Sequence, residues 1–376
     1  MMPTVMVRSA DYRYEDLRRQ IFEMLEVFDG GSISGSSRVL IKPNLLAPAS
    51  PNRAVVTHPM IVKAVAEYVI EKGARPQISD SPATGFFDKV LKESGLKAAL
   101  KDLDVEFKEF KTSMTVDVGE PFNQLEIAEE ALQADVIINL PKLKTHSQML
   151  LTLGVKNLFG CVVGMRKPQW HLRAGVDRKM FAQLLMCIYR TLRPAITILD
   201  GILAMEGQGP GRGGIPKHLG VLMASDDAVA LDKTVCTMLG VDWEALLTNN
   251  IAKDWGCLDG RIHLDGELPN VREFKLPEIT PLVFGPQSIH GFLRKYLIQR
   301  PVAESSLCKL CGECWSYCPA EAISHDRRSV LFDYDKCIRC YCCLEVCPHG
   351  VLRAEQPLPG RIIDRLINRS RELRNS

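Results

Sequence analysis

One stretch near the C-terminus, Cys308 to Pro348, restricts this chain more than any other. Cys308, Cys311, Cys314 and Cys318 stand in the spacing C-x2-C-x2-C-x3-C, with Pro319 after the last. Cys337, Cys340, Cys343 and Cys347 repeat it, again with a proline, Pro348, behind the fourth. Three thiolates on one short loop can hold three irons of a cubane cluster, while a fourth cysteine beyond the loop points to a second cluster. The spacing therefore predicts two 4Fe-4S clusters that exchange their last ligands. Cluster one would take Cys308, Cys311, Cys314 and Cys347, and cluster two Cys337, Cys340, Cys343 and Cys318. Proline after the fourth cysteine supplies no N–H and turns the chain away. Structural zinc loops usually pair two close cysteines and complete the site from a distant pair or from histidine. The doubled three-plus-one pattern fits iron–sulfur instead.

At 376 residues the chain can bury a large core and form two or three domains. Its net charge of +2 carries no global attraction to nucleic acid or to a membrane surface, and neither is expected as a partner. Met1-Met2-Pro3 opens no apolar signal region, and no apolar run reaches the length of a membrane span. Eight of the thirteen cysteines are accounted for as ligands. The other five, Cys161, Cys187, Cys236, Cys257 and Cys342, suit a cytoplasm that keeps thiols reduced. Cys342 interrupts the second motif without completing a better one, and it is read as a non-ligand.

The first 250 or so residues alternate short β-branched runs with amphipathic helices, the pattern of an α/β layered domain with a mostly parallel sheet. Strands are expected at 5–7, 38–41, 77–79, 135–139, 196–199 and 220–224, and helices at 15–28, 59–72, 86–94, 178–191 and 228–239. Domain boundaries follow: residues 1–257 for the α/β domain, 258–301 for a proline-bearing connection, 302–355 for a small α+β cysteine module and 356–376 for a C-terminal helix. Within the connection, 288–299 reads as a short basic helix docking the module. Ile362, Ile363, Leu366 and Ile367 give the last helix an apolar side that covers its own protein.

In open α/β sheets functional residues gather where strands end. Here those points carry Lys42 and Asn44, Asp80, Lys142, Lys144 and His146, Lys156 and Asn157, and Asp200. Lys142, Lys144, His146 and Lys156 form the densest cationic group, and lysine suits carboxylate or phosphate. A solvated surface loop is the alternative for the group, and helix capping for the two aspartates. The segment Gly209–Gly214 spells G-x-G-x-x-G, but Ile215-Pro216 and an apolar run follow where a dinucleotide fingerprint needs a helix. It reads as a hairpin loop, or as a loop closing over a ligand with Arg212 touching an anion. No P-loop or flavin motif is present, so a flavin has no support from motif.

The strings Ile41–Asn44, Thr57–Pro59, Asp80–Pro82, Asn139–His146, Gly154–Gly160 and Met205–Pro210 together resemble the family catalogued as domain of unknown function 362. The cysteine region resembles a bacterial two-cluster ferredoxin, a module often fused to that family. Nearly the whole chain falls under one likeness or the other. The family resemblance implies no particular reaction. The residues themselves suggest an iron–sulfur oxidoreductase in which two clusters carry single electrons between an external donor or acceptor protein and an anionic small molecule. Lys42, Asn44, Asp80, Lys142, Lys156, Asn157, Asp200 and Arg212 would bind it, and Lys144 or His146 would give a proton. The other reading is an electron-transfer or metallocofactor-maturation partner with no substrate of its own.

Overall fold

The computed structural model describes residues 2–174, 177–257, 261–278 and 296–362. Strands β1 (Thr4–Ser9), β2 (Arg38–Pro43), β3 (Arg75–Ile78) and β4 (Glu106–Phe107) enter one sheet. A hairpin of β5 (Ser113–Gly119) and β6 (Asn123–Ala128) stands apart from it. The sheet then takes β7 (Val136–Leu140), β8 (Lys142–His146), β9 (Leu150–Thr152), β10 (Ile196–Gly207), β11 (Gly214–Ser225) and β12 (His263–Asp265). The order is β12-β1-β11-β10-β7-β2-β3-β4, with β8 branching from β10 and carrying β9. Strands β10, β7, β2, β3 and β4 run parallel, while β11 is antiparallel to both β1 and β10. This is the expected α/β class, as a mixed and mostly parallel sheet.

The helices form where the pattern places them. Helix Pro59–Glu71 begins with proline at N1, where the missing N–H is no loss and φ is preset. His58 Nδ1 accepts from Met60 N at 3.3 Å as its cap. Its buried Ile61, Val62, Val65 and Val69 lie in the core cluster beside β2 and helix Tyr14–Asp29, each side chain contributing about 1.5–3 kcal/mol. Strand β7 is buried at every position, as a central strand covered by helices must be.

Several segments differ from expectation. Residues 142–146 form a strand because Pro141 ends β7 and the chain resumes alongside β10, Asp200 opposite Lys142. The glycine segment, by contrast, keeps to one of its two expected readings, a hairpin loop: it is the turn of β10–β11, Gly207 opposite Gly214. β12 pairs with β1, so part of the expected connection completes the sheet edge. In the cysteine module β13 (Arg300–Ala303) pairs with β16 (Leu352–Glu355), and β14 (Ile323–His325) with β15 (Val330–Phe332). Its short helices are Glu313–Ser316 and Cys342–Val346. Most of the helices expected over 288–299 and 361–373 lies outside the described residues.

The doubled motif is doubled in the backbone as well. Left-handed φ values recur at matching places: Leu310 (51°) and Arg339 (60°), Gly312 (96°) and Tyr341 (59°), Glu321 (49°) and Gly350 (65°). Left-handed backbone costs a non-glycine residue about 1–2 kcal/mol. Both loops accept that cost to curl around the space their cysteines line.

Candidate functional site at the junction of the two modules

The parallel strands β2, β3, β7 and β10 end on one edge, and their polar termini converge there. Strand β8 alternates, placing Lys142, Lys144 and His146 on one side, while Leu143 between them joins a hydrophobic cluster. All five residues of β8 are buried, so its cations sit inside the protein.

Two of the lysines are neutralised where they stand. Lys42 Nζ lies 3.0 Å from Asp80 Oδ1 and donates to Pro43 O at 2.7 Å. Asp80 also accepts from the N–H groups of Leu45 and Ser81, each at 2.8 Å. Lys142 Nζ is 2.7 Å from Asp200 Oδ2 and 3.1 Å from the Tyr12 hydroxyl. Tyr12 in turn donates to Asp200 Oδ1 at 2.8 Å and stacks on His58. Asn44, Asn157 and Asn139 form a ladder: Asn44 Nδ2 donates to Asn157 Oδ1, and Asn157 Nδ2 to Asn139 Oδ1, each at 2.8 Å.

A cavity of about 70 Å³ opens above this floor, lined by Asn44, Asp80, Lys144, Lys156 and Asn157 among the expected residues. Lys42, Lys142, His146 and Asp200 lie outside its wall, and Arg212 is exposed beside a neighbouring groove. Sequence reasoning missed Thr152, Lys167 and His171 on the α/β side. Lys167 and His171 are four apart on helix Arg166–Ala174, both buried, and that spacing was the available signal. The roof comes from the cysteine module: Tyr317, Cys342 and Glu345. Glu345 sits between two cysteines of a motif, and nothing in the spacing marks it as buried.

His146 links floor and roof. Its Nδ1 accepts from the N–H groups of Gln148 (3.1 Å) and Met149 (3.2 Å), which leaves the neutral ring's proton on Nε2. Nε2 lies 2.9 Å from Glu345 Oε1, although the two do not meet as a well-formed hydrogen bond. Burial holds His146 down to about 4 and His171 to about 3. Burial alone would raise Glu345, but His146 and then Lys156 hold it at about 2. A neutral imidazole therefore faces an ionised carboxylate at neutral pH. Burial also depresses the lysines: Lys144 to about 7, with Lys156 beside it adding repulsion, Lys167 to about 8, and Lys142 and Lys156 downward as well.

Two further cavities lie within the cysteine module. Cys308, Cys311, Cys314 and Cys347 line one; Cys318, Cys337, Cys340 and Cys343 line the other, together with Cys342. Each thus draws three sulfurs from one motif and one from the other. Burial raises Cys314 to about 12, helped by Cys347, Cys311 and Cys308 around it. Four crowded thiols of this kind ionise together only around a cationic centre, so the donor set fits an iron–sulfur cluster. Among the described residues no three His, Cys, Asp or Glu side chains converge on a single-ion site; the sulfurs surround cavities instead.

An α/β sheet whose strand-end pocket is roofed by a cysteine module defines a two-part iron–sulfur protein with an electron-transfer module. The chain belongs to the family described as Domain of unknown function (DUF362), whose model matches residues 39–237; a 4Fe-4S dicluster domain matches residues 300–348. It is 37% identical to Thylakoid-associated protein sll1697 of Synechocystis sp., over 78% of this chain and 94% of that one. The cysteine region is 36% identical to Pyruvate synthase subunit PorD of Methanocaldococcus jannaschii, over 19% of this chain and 84% of that protein. Among solved structures, the lactate racemase apoprotein of Thermoanaerobacterium thermosaccharolyticum covers 61% of this chain and 55% of its own at 11% identity, with a TM-score of 0.40. That likeness is too loose to carry an argument. Among the described residues no helix is long and apolar enough to cross a membrane.

Proposed function

We propose that the chain is an iron–sulfur oxidoreductase that exchanges electrons with an anionic small molecule held between its modules. Cys308, Cys311, Cys314 and Cys347 hold one 4Fe-4S cluster, and Cys337, Cys340, Cys343 and Cys318 the other. Such clusters supply one-electron transfer when bound. The observation that carries the reading is a shared wall: Cys342 lines both the lysine cavity and the cavity of the second cysteine set. A molecule in the lysine cavity would therefore lie next to the second cluster. An external carrier protein exchanges electrons through the first, whose Cys311 is exposed.

Lys144 lines the cavity and is held near the working pH of a proton donor. His146, neutral and turned to Glu345, lies outside that wall and is better suited to orienting the carboxylate than to giving a proton. The proton role therefore falls to Lys144.

The likeness of the cysteine region to a PorD subunit favours a second reading, an electron-transfer partner with no substrate of its own. One preparation separates the two. The anaerobically purified full chain should contain about eight irons and eight labile sulfides. Zinc, or iron fixed at four, would overturn the two-cluster assignment. A chain that exchanges electrons with a carrier protein while no small anion changes its unfolding temperature would favour the partner reading.

A further inference from the structure

The cavity between the modules carries charge that the protein does not neutralise. Lys144, Lys156 and Lys167 line it, and Lys42 stands behind them against Asp80. With all four protonated, as an anion beside them would favour, these lysines face only two carboxylates, Asp80 and Glu345. Lys144 donates to Asn44 Oδ1 at 2.7 Å and Val55 O at 2.8 Å, and Lys167 to Ser81 O, all uncharged acceptors. Among the described residues Lys156 makes no hydrogen bond or ion pair. Buried charge is ordinarily paired. The wall also holds three buried polar atoms without a hydrogen-bond partner: Thr152 Oγ1, His171 Nδ1 and Glu345 Oε1, the last turned to His146 Nε2 at 2.9 Å. Such atoms are rare unless a water or ligand meets them.

The size is restrictive as well. The cavity's space of about 70 Å³ for the centres of water-sized groups holds about five to seven waters, so the enclosed part of a ligand has about that many non-hydrogen atoms. We infer that the cavity binds a small oxyanion of two negative charges, its oxygens on Lys144, Lys156 and Lys167 and its remaining hydrogen bonds on Thr152 and His171. This deepens the oxidoreductase reading and rests on it for the ligand's redox role. The binding itself stands on the cavity alone.

The test is calorimetric titration of the anaerobic, cluster-bearing full chain with oxalate and with inorganic phosphate at fixed ionic strength. At least one probe should bind one per chain. Lys156→Met and Lys167→Met should each weaken it tenfold or more. Thr152→Val keeps the side chain's shape, so it serves if a lysine variant fails to fold, and it should weaken binding about fivefold. Lys89→Met, an exposed lysine of the neighbouring groove, should leave it unchanged. Binding should also shift the electron paramagnetic resonance signal of the reduced cluster beside Cys342. Failure of both probes to bind, or equal binding by the Lys156, Lys167 and Thr152 variants, overturns the site and leaves the cluster assignment standing. Binding that obeys the variants but leaves both cluster signals unmoved supports the site and counts against the oxidoreductase reading.

Discussion

At Gly160 the lack of a side chain is a requirement. A Cβ there would press into Asp80 Oδ1 and come 2.6 Å from Lys42 Nζ, wedging apart a fully buried ion pair. Breaking such a pair costs about 3–5 kcal/mol, because each charge is left in a medium that solvates it poorly. Gly160→Ala should therefore lower unfolding stability by about 3 kcal/mol in a denaturant titration; a loss below about 1 kcal/mol would mean the neighbours give way freely. Lys144 makes a second prediction. Burial lowers it to about 7 from an ordinary 10.5. Between those values the unfolded chain binds the proton more readily than the folded one, so stability rises with pH across the window. Below about 7 the penalty is fully in force. The ligand-free chain should thus melt higher at pH 9 than at pH 7, and Lys144→Met should remove part of that climb. Parallel profiles for the variant and native chains would show that Lys144 does not titrate in this way.

Elements were legible where one physical signal dominated. The cysteine spacing, the apolar β7 and the Pro59 helix each follow from ligand geometry, two-sided burial or proline at N1, and the structure has them in place. Strand β8 was harder, because its alternation is inverted: Lys142, Lys144 and His146 form the buried polar side that a pattern of apolar-in, polar-out assigns to solvent. Helix Arg166–Ala174 was missed since its buried residues include Lys167 and His171, which hydropathy places outside. Sites built from buried charge defeat hydropathy for this reason. If the last ligands cross, Cys347→Ser perturbs the cluster of Cys308, Cys311 and Cys314, and Cys318→Ser perturbs the other. Cys342→Ser should leave both iron centres in place. Separate resonance signals from the two reduced clusters decide it, and damage confined to the mutated cysteine's own motif would contradict the crossing.

At the scale of the molecule, the question is what holds an electron-transfer module against an α/β sheet tightly enough to roof a cavity. The geometry gives a large share to one buried contact, His146 Nε2 to Glu345 Oε1 at 2.9 Å, reinforced by the close packing of the β10–β11 turn. A Cβ at Gly211 would lie only 3.3 Å from Glu345 O, and one at Gly350 only 2.8 Å from Arg212 Cβ, so larger residues there would push the surfaces apart. His146→Ala would remove the ring that faces the buried Glu345 carboxylate, at a cost of about 1–3 kcal/mol to the docked arrangement. No cysteine is touched, so iron content should stay at its native value. Amide hydrogen exchange should then rise on both sides of the junction, in Lys142–His146 and in Cys342–Val346. Lys144→Ala, which alters the cavity without removing that contact, should leave exchange at the junction near native while weakening oxyanion binding by about tenfold, as expected for one charge-assisted hydrogen bond. If His146→Ala raised exchange in β8 alone, the modules would be held by their packing surfaces, and the His146–Glu345 contact would be a local feature of the site.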